Sequence, residues 1–160
     1  MKHYTTIHNP FLRKYVQTLT FILLVSFTMA QTQLGSDIDG ESAYDRSGAS
    51  VSMSADGSRV AIGAYYNDGN GSNAGHVRVY DLVNGSWTQV GEDIDGEAAG
   101  DYFGYSVSMN SAGDRVAIGA FYNDGNGNDA GHVRVYDLVN GNWTQVGEDI
   151  DGEAANDLSG

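Results

Sequence analysis

The strongest constraint on the fold of this chain is an internal repeat with a period of 56 residues. The five-residue sequence DIDGE begins at positions 37, 93 and 149. Residues 37–92 and 93–148 align without a gap and differ at only 13 of 56 positions. Self-similarity at a fixed period indicates that one structural unit packs beside copies of itself. We therefore expect a repeat protein that arose by tandem duplication.

Each repeat is predicted to contain four short β-strands. Apolar and polar residues alternate at 50–53, 59–64, 76–80 and 87–90, and glycine or asparagine residues separate these segments. This alternation is typical of strands, and Asn84-Gly85 suits a tight hairpin turn. Four-stranded units of about 40–50 residues are typical of β-propeller blades. We expect an all-β fold of four-stranded antiparallel blades, with a β-solenoid as the alternative.

The second repeat resembles the FG-GAP repeat. The residues at 103–104 match "FG", and those at 119–120 match most of "GAP", with Phe121 in place of the proline. The first repeat departs further, because Ser47-Gly48 stands in place of "FG". The resemblance implies a β-propeller like the one at the head of integrin α chains and of many secreted or surface proteins of bacteria. The resemblance indicates the architecture and the extracellular setting, and it does not by itself indicate an activity or a ligand.

The repeat alignment divides the chain into segments. Residues 31–160 are predicted to form a partial propeller, with an opening strand at 31–40, repeats at 41–96 and 97–152, and the start of a third repeat at 153–160. A propeller needs at least four blades to close around its channel. We therefore expect an incomplete propeller of two full blades plus partial ones, from the N-terminal part of a longer protein. Assembly of several short chains into one ring is the alternative.

Residues 1–30 are predicted to be a secretory signal peptide. They contain three basic residues and no acidic one, and an apolar stretch at 19–27 is followed by small residues up to Ala30. This order is typical of a leader that is cleaved, here after Ala30. An uncleaved membrane anchor is the alternative, but the apolar stretch has about half of the roughly 20 residues that span a bilayer. We therefore expect a secreted or cell-surface protein that is not inserted in the membrane after cleavage.

Net charge and cysteine content exclude several classes of function. The formal net charge is -13, and it becomes -16 without residues 1–30, because five basic residues then face 21 acidic ones. Nucleic-acid affinity comes largely from lysine and arginine residues that neutralise phosphates, so no nucleic-acid partner is expected. The chain has no cysteine, which excludes disulfides, thiol nucleophiles and cysteine-ligated metals.

Two glycine-rich loops carry oxygen ligands at alternate positions and are candidate calcium sites. Calcium takes six to eight oxygen ligands. The candidate ligands are Asp68, Asn70 and Asn73 in the first repeat and Asp124, Asn126 and Asp129 in the second. The alternative is a polar loop in which these side chains bind their own backbone. The FG-GAP resemblance does not imply calcium here, since integrin-type calcium loops lie between the first two strands, where this chain has only short turns.

Three other recurring features have both a functional and a structural interpretation. The carboxylates of 37–41 could perform acid–base chemistry, but an active site is seldom repeated in every unit, so a solvated connection is expected. His76 and His132 are interpreted as structural residues, because no second histidine lies nearby in sequence to complete a metal site. Trp87 and Trp143 could stack against a sugar, although packing between neighbouring blades is the simpler interpretation.

These patterns together predict a non-catalytic binding module. We expect extracellular binding or adhesion, with a protein or a carbohydrate as the ligand. The alternative is an accessory propeller of a larger secreted hydrolase whose catalytic domain lies beyond residue 160.

Overall fold

The computed structural model describes residues 31–160, and within them it shows ten β-strands and no helix. The predicted signal peptide at 1–30 lies outside the described residues. None of the described residues forms a helix that could span a bilayer. The all-β prediction is therefore confirmed for the part of the chain that the structure describes.

The strands form two antiparallel sheets, one from each repeat. Blade 1 consists of β1 (Ser50–Met53), β2 (Arg59–Ala64), β3 (His76–Val83), β4 (Ser86–Gln89) and β5 (Ile94–Asp95). Blade 2 consists of β6 (Ser106–Met109), β7 (Arg115–Ala120), β8 (His132–Val139), β9 (Asn142–Gln145) and β10 (Ile150–Asp151). The order is β1-β2-β3-β4 in blade 1, with β5 also beside β3, and blade 2 repeats this order. The prediction of four-stranded antiparallel blades is confirmed.

The third strand of each blade is longer than predicted, and the fourth strand is interrupted. In blade 1, β3 continues to Val83, because Asp81 pairs with both β2 and β4 and the next two residues pair with β4. β4 and β5 then occupy the same edge of β3, β4 beside residues 80–83 and β5 beside residues 76–77. Between them Gly91 has a φ of 75°, which turns the backbone out of the ladder. The fourth position in the blade is therefore filled by two short pieces: β4, which matches the predicted strand 87–90 to within one residue, and β5, which was not predicted.

Apolar side chains between the two sheets form the core. Its members are Ala61, Val77, Val79 and Ile94 from blade 1, Phe103 from the connection, and Val116, Ile118, Ala120 and Tyr136 from blade 2. The sheets approach closely, since a Cβ added at Gly63 would lie 2.1 Å from the carbonyl oxygen of Gly104. The Trp143 indole donates a hydrogen bond of 2.9 Å to the carbonyl oxygen of Val90 in blade 1. The predicted packing of tryptophan between neighbouring blades is thus confirmed for Trp143, which also packs against the core.

The predicted opening strand at 31–40 is absent from the described residues. This segment still makes one contact that is typical of the end of a fourth strand. The carbonyl oxygen of Leu34 accepts a hydrogen bond from the Trp87 indole, and the carbonyl oxygen of Val90, at the equivalent position of the next repeat, accepts one from the Trp143 indole. In each blade the fourth-strand pieces pair with the third strand, which precedes them in the chain. Residues 31–40 pair with no described strand, and the backbone bends at Gly35, whose φ is 74°.

Candidate functional site

The predicted calcium ligands share one loop in each repeat, and four of their side chains form hydrogen bonds with backbone groups. In the first loop, an Asp68 carboxylate oxygen accepts the backbone N–H of Asn73 at 2.7 Å, and the Asn70 amide donates to the carbonyl oxygen of Gly96 at 2.7 Å. These hydrogen bonds are the ones expected from the alternative interpretation, in which the polar side chains of the loop bind backbone groups.

The second loop repeats this arrangement. Asp124 accepts the backbone N–H of Asp129 at 2.8 Å, and Asn126 donates to the carbonyl oxygen of Gly152 at 2.8 Å. A second carboxylate oxygen in the loop, on Asp129, accepts the Asn128 amide at 2.7 Å. Calcium binding by these residues stays a prediction.

A different set of residues converges at the start of the third strand of each blade. Cluster 1 consists of Glu41, His76 and Asp93, and cluster 2 consists of Glu97, His132 and Asp149. In each cluster the glutamate precedes the first strand, the histidine begins the third strand, and the aspartate lies between the two pieces of the fourth strand. One possible ligand atom from each residue lies within 4.8 Å of the other two.

In cluster 1, the imidazole faces two carboxylates. The Nδ1 atom of His76 is 3.4 Å from Asp93 Oδ2 and 3.8 Å from Glu41 Oε2. The neighbouring Arg78 donates from Nη2 to the carbonyl oxygen of Asp39 at 2.9 Å, and its Nη1 is 3.6 Å from Glu41 Oε1. The side chain of His76 is almost fully buried, whereas that of Glu41 is 45% exposed.

In cluster 2, an arginine holds both carboxylates. Arg134 forms a bidentate pair with Asp149 at 2.9 and 2.8 Å and also pairs with Glu97. The Nδ1 atom of His132 lies 3.5 Å from Asp149 Oδ2. Neither ring nitrogen of His132 has a hydrogen-bond partner, although its side chain is only 1% exposed.

Burial and charge set the protonation states in cluster 2. Burial, followed by the positive charge of Arg134, lowers the pKa of His132. The hydrogen bond from Arg134 lowers the pKa of Asp149. At neutral pH a neutral His132 imidazole therefore lies beside an ionised Asp149 carboxylate. The His132 imidazole is enclosed, so neither ring nitrogen is exposed to solvent.

A second candidate site is an aromatic groove that crosses from one blade to the other. It is lined by Tyr65, Tyr66, Tyr102, Tyr105, Phe121 and Tyr122, and its volume is about 290 Å³. Ring centroids are 5.3 Å apart between Tyr65 and Tyr105 and 4.4 Å apart between Tyr105 and Phe121. Tyr105 is 50% exposed and Tyr122 is 38% exposed. Large aromatic surfaces exposed together are typical of binding sites.

Neither the clusters nor the groove was predicted from the sequence. A signal for the clusters existed, since Glu41, His76 and Asp93 all recur 56 residues later. Recurrence alone could not select them, however, because most other residues recur as well. The groove had a weaker signal, the aromatic pairs at 65–66 and 121–122.

Comparison with known proteins assigns the family. The sequence model of the FG-GAP repeat matches residues 37–80 and 93–136, which are the two repeats up to the middle of their third strands. No curated protein matches the chain. The family match covers more than half of the sequence and agrees with the two four-stranded sheets. This chain belongs to the FG-GAP repeat family.

Proposed function

We propose that this protein is a secreted or cell-surface β-propeller module that binds a neutral carbohydrate, without catalysis, through the aromatic groove. FG-GAP repeats build propellers that commonly bind extracellular ligands, which supports a binding role. The predicted signal peptide supports export.

The aromatic groove is the observation that carries this proposal. One face of a sugar ring is lined by C–H groups that pack well on aromatic rings, and its hydroxyl groups need hydrogen-bond partners. Tyrosine offers both an apolar ring and a polar hydroxyl. Five of the six groove residues are tyrosines, and their rings come from both blades. A groove of about 290 Å³ lies near the lower end of the ligand-pocket range, which suits a short segment of a glycan.

The net negative charge of the chain favours uncharged carbohydrates over anionic ones. With five basic and 21 acidic residues after position 30, the surface repels anionic sugars. We therefore expect binding of uncharged glycans and weak binding of sulfated or sialylated ones.

A glycan array followed by titration calorimetry of the full chain tests the proposal. Tyr105→Ala and Tyr122→Ala remove exposed groove rings and are expected to weaken binding of the selected glycan by about fivefold or more, since a stacked ring contributes about 1 kcal/mol or more. Tyr44→Ala is the matched control, because Tyr44 is 91% exposed and is not a groove residue. Binding of a protein but of no neutral glycan, or equal binding by parent and groove variants, contradicts the proposal.

A further inference from the structure

The two Glu-His-Asp clusters hold their imidazoles near carboxylates at unusual distances. The distances from Nδ1 to the nearest carboxylate oxygen are 3.4 Å for His76 and 3.5 Å for His132. Hydrogen bonds between nitrogen and oxygen are shorter, about 2.7–3.2 Å. His132 is also a buried polar side chain without a hydrogen-bond partner, which is rare and needs an explanation.

The same distances match two ligands of one small cation. A tetrahedral zinc ion with bonds of about 2.0–2.1 Å places its ligand atoms about 3.3–3.4 Å apart. The pair His76–Asp93 agrees with this spacing, and Glu41 Oε2, at 3.8 Å from Nδ1, belongs to an exposed side chain that can move by a few tenths of an ångström. A bound cation would also give Nδ1 of His132 the partner that it lacks.

We propose that each blade binds one zinc ion, through Glu41, His76 and Asp93 in cluster 1 and through Glu97, His132 and Asp149 in cluster 2. One nitrogen and two carboxylate oxygens are a ligand set typical of zinc, with solvent as the fourth ligand. Calcium and magnesium prefer oxygen ligands alone. The ion links the segment before the first strand to the third and fourth strands, so it stabilises that end of the blade.

The arginine beside each cluster makes the two sites unequal. In cluster 2, Arg134 occupies both carboxylates and must release them before zinc can bind. In cluster 1, Arg78 points to the carbonyl oxygen of Asp39, and it approaches the Glu41 oxygen that does not face His76. Cluster 1 is therefore the tighter site.

Zinc titration of the metal-free full chain tests this proposal. We expect calorimetry to show two unequal sites, zinc to raise the midpoint of thermal unfolding, and cobalt(II) to give the visible absorption bands of tetrahedral coordination. His76→Gln removes the tighter site and His132→Gln the weaker one. Loss of an outer-shell partner already costs metal sites about 10–100-fold, so loss of a ligand is expected to weaken its site by about 100-fold or more.

The control variants distinguish the loss of a zinc ligand from the loss of a negative charge and from a failure to fold. Glu92→Gln and Glu148→Gln remove exposed carboxylates that belong to neither cluster, one in each repeat, and these variants are expected to bind zinc as the parent does. The double histidine variant measures the background from His3 and His8 in residues 1–30. If the histidine variants do not fold, Glu41→Gln and Glu97→Gln remove half-exposed ligands instead. Absence of zinc binding by the parent, or retention of both sites in folded variants, overturns the proposal.

Discussion

Replacement of Phe103 by alanine tests whether the blades are held together by the core between them. The Phe103 side chain is fully buried, and its ring centroid lies 6.3 Å from that of Tyr136 and 6.5 Å from the imidazole of His132. Truncation of a buried phenylalanine costs about 3–5 kcal/mol, since it removes apolar contacts and leaves a cavity. At about 2–4 °C per kcal/mol, the midpoint of thermal unfolding should fall by about 6–20 °C.

The repeat supplies a matched control for this variant. Ser47 stands at the equivalent position 56 residues earlier and is half-buried. Ser47→Ala is expected to change the free energy of unfolding by no more than about 0.5 kcal/mol. Urea unfolding followed by tryptophan fluorescence measures both variants. A loss below about 1 kcal/mol for Phe103→Ala, or equal losses for the two variants, would refute this account of the interblade core.

Three further predictions concern a close contact, a titration and the calcium loops. Gly63→Ala is expected to lower the free energy of unfolding by about 3 kcal/mol or more, because the added Cβ would lie 2.1 Å from a backbone oxygen. The control Gly85→Ala places its Cβ in open space and is expected to cost about 1–2 kcal/mol, because Gly85 has a φ of 81°. Equal losses of the two variants in urea unfolding would contradict this. Hydrogen bonds, first from the backbone N–H of the serine two residues on, lower the pKa of Asp56 from 3.8 to about 2. Because this folded-state pKa lies below the unfolded value, the stabilisation is fully present above about pH 4 and is lost as the pH falls towards about 2; an NMR titration midpoint near 3.8 would disprove it. If Asp68 and Asp124 ligate calcium, millimolar calcium should raise the unfolding midpoint of metal-free protein by several degrees, an effect lost in their asparagine variants; coincident curves would exclude the site.

The strands were predictable because their signals are local. Residues 50–53 and 59–64 were predicted as strands and are β1 and β2 without a change of boundary. The hairpin turn also follows from two residues, since Asn84 and Gly85 both have a positive φ, 52° and 81°. Alternating burial and turn conformation depend on neighbouring residues, and the sequence displays these directly.

The end of a strand was less predictable because it depends on distant partners. β3 continues through Asp81 to Val83, past its alternating part, because residues on two other strands pair with it. Arg59 on β2 also forms a bidentate ion pair with Asp81, which joins positions 22 residues apart. Neither contact is visible in a short window of sequence.

The sequence by itself determined the repeat, the first four strands of each blade and the family, whereas the short strands β5 and β10 were not predicted. Only the tertiary structure showed that Glu41, His76 and Asp93 meet, and that the rings of Tyr65, Tyr105 and Phe121 line one groove. The physical reason is the distance along the chain. Periodicity records which face of a strand is buried, whereas a binding site requires side chains from separate strands and loops, and only the packing of the strands and of the two blades brings these together.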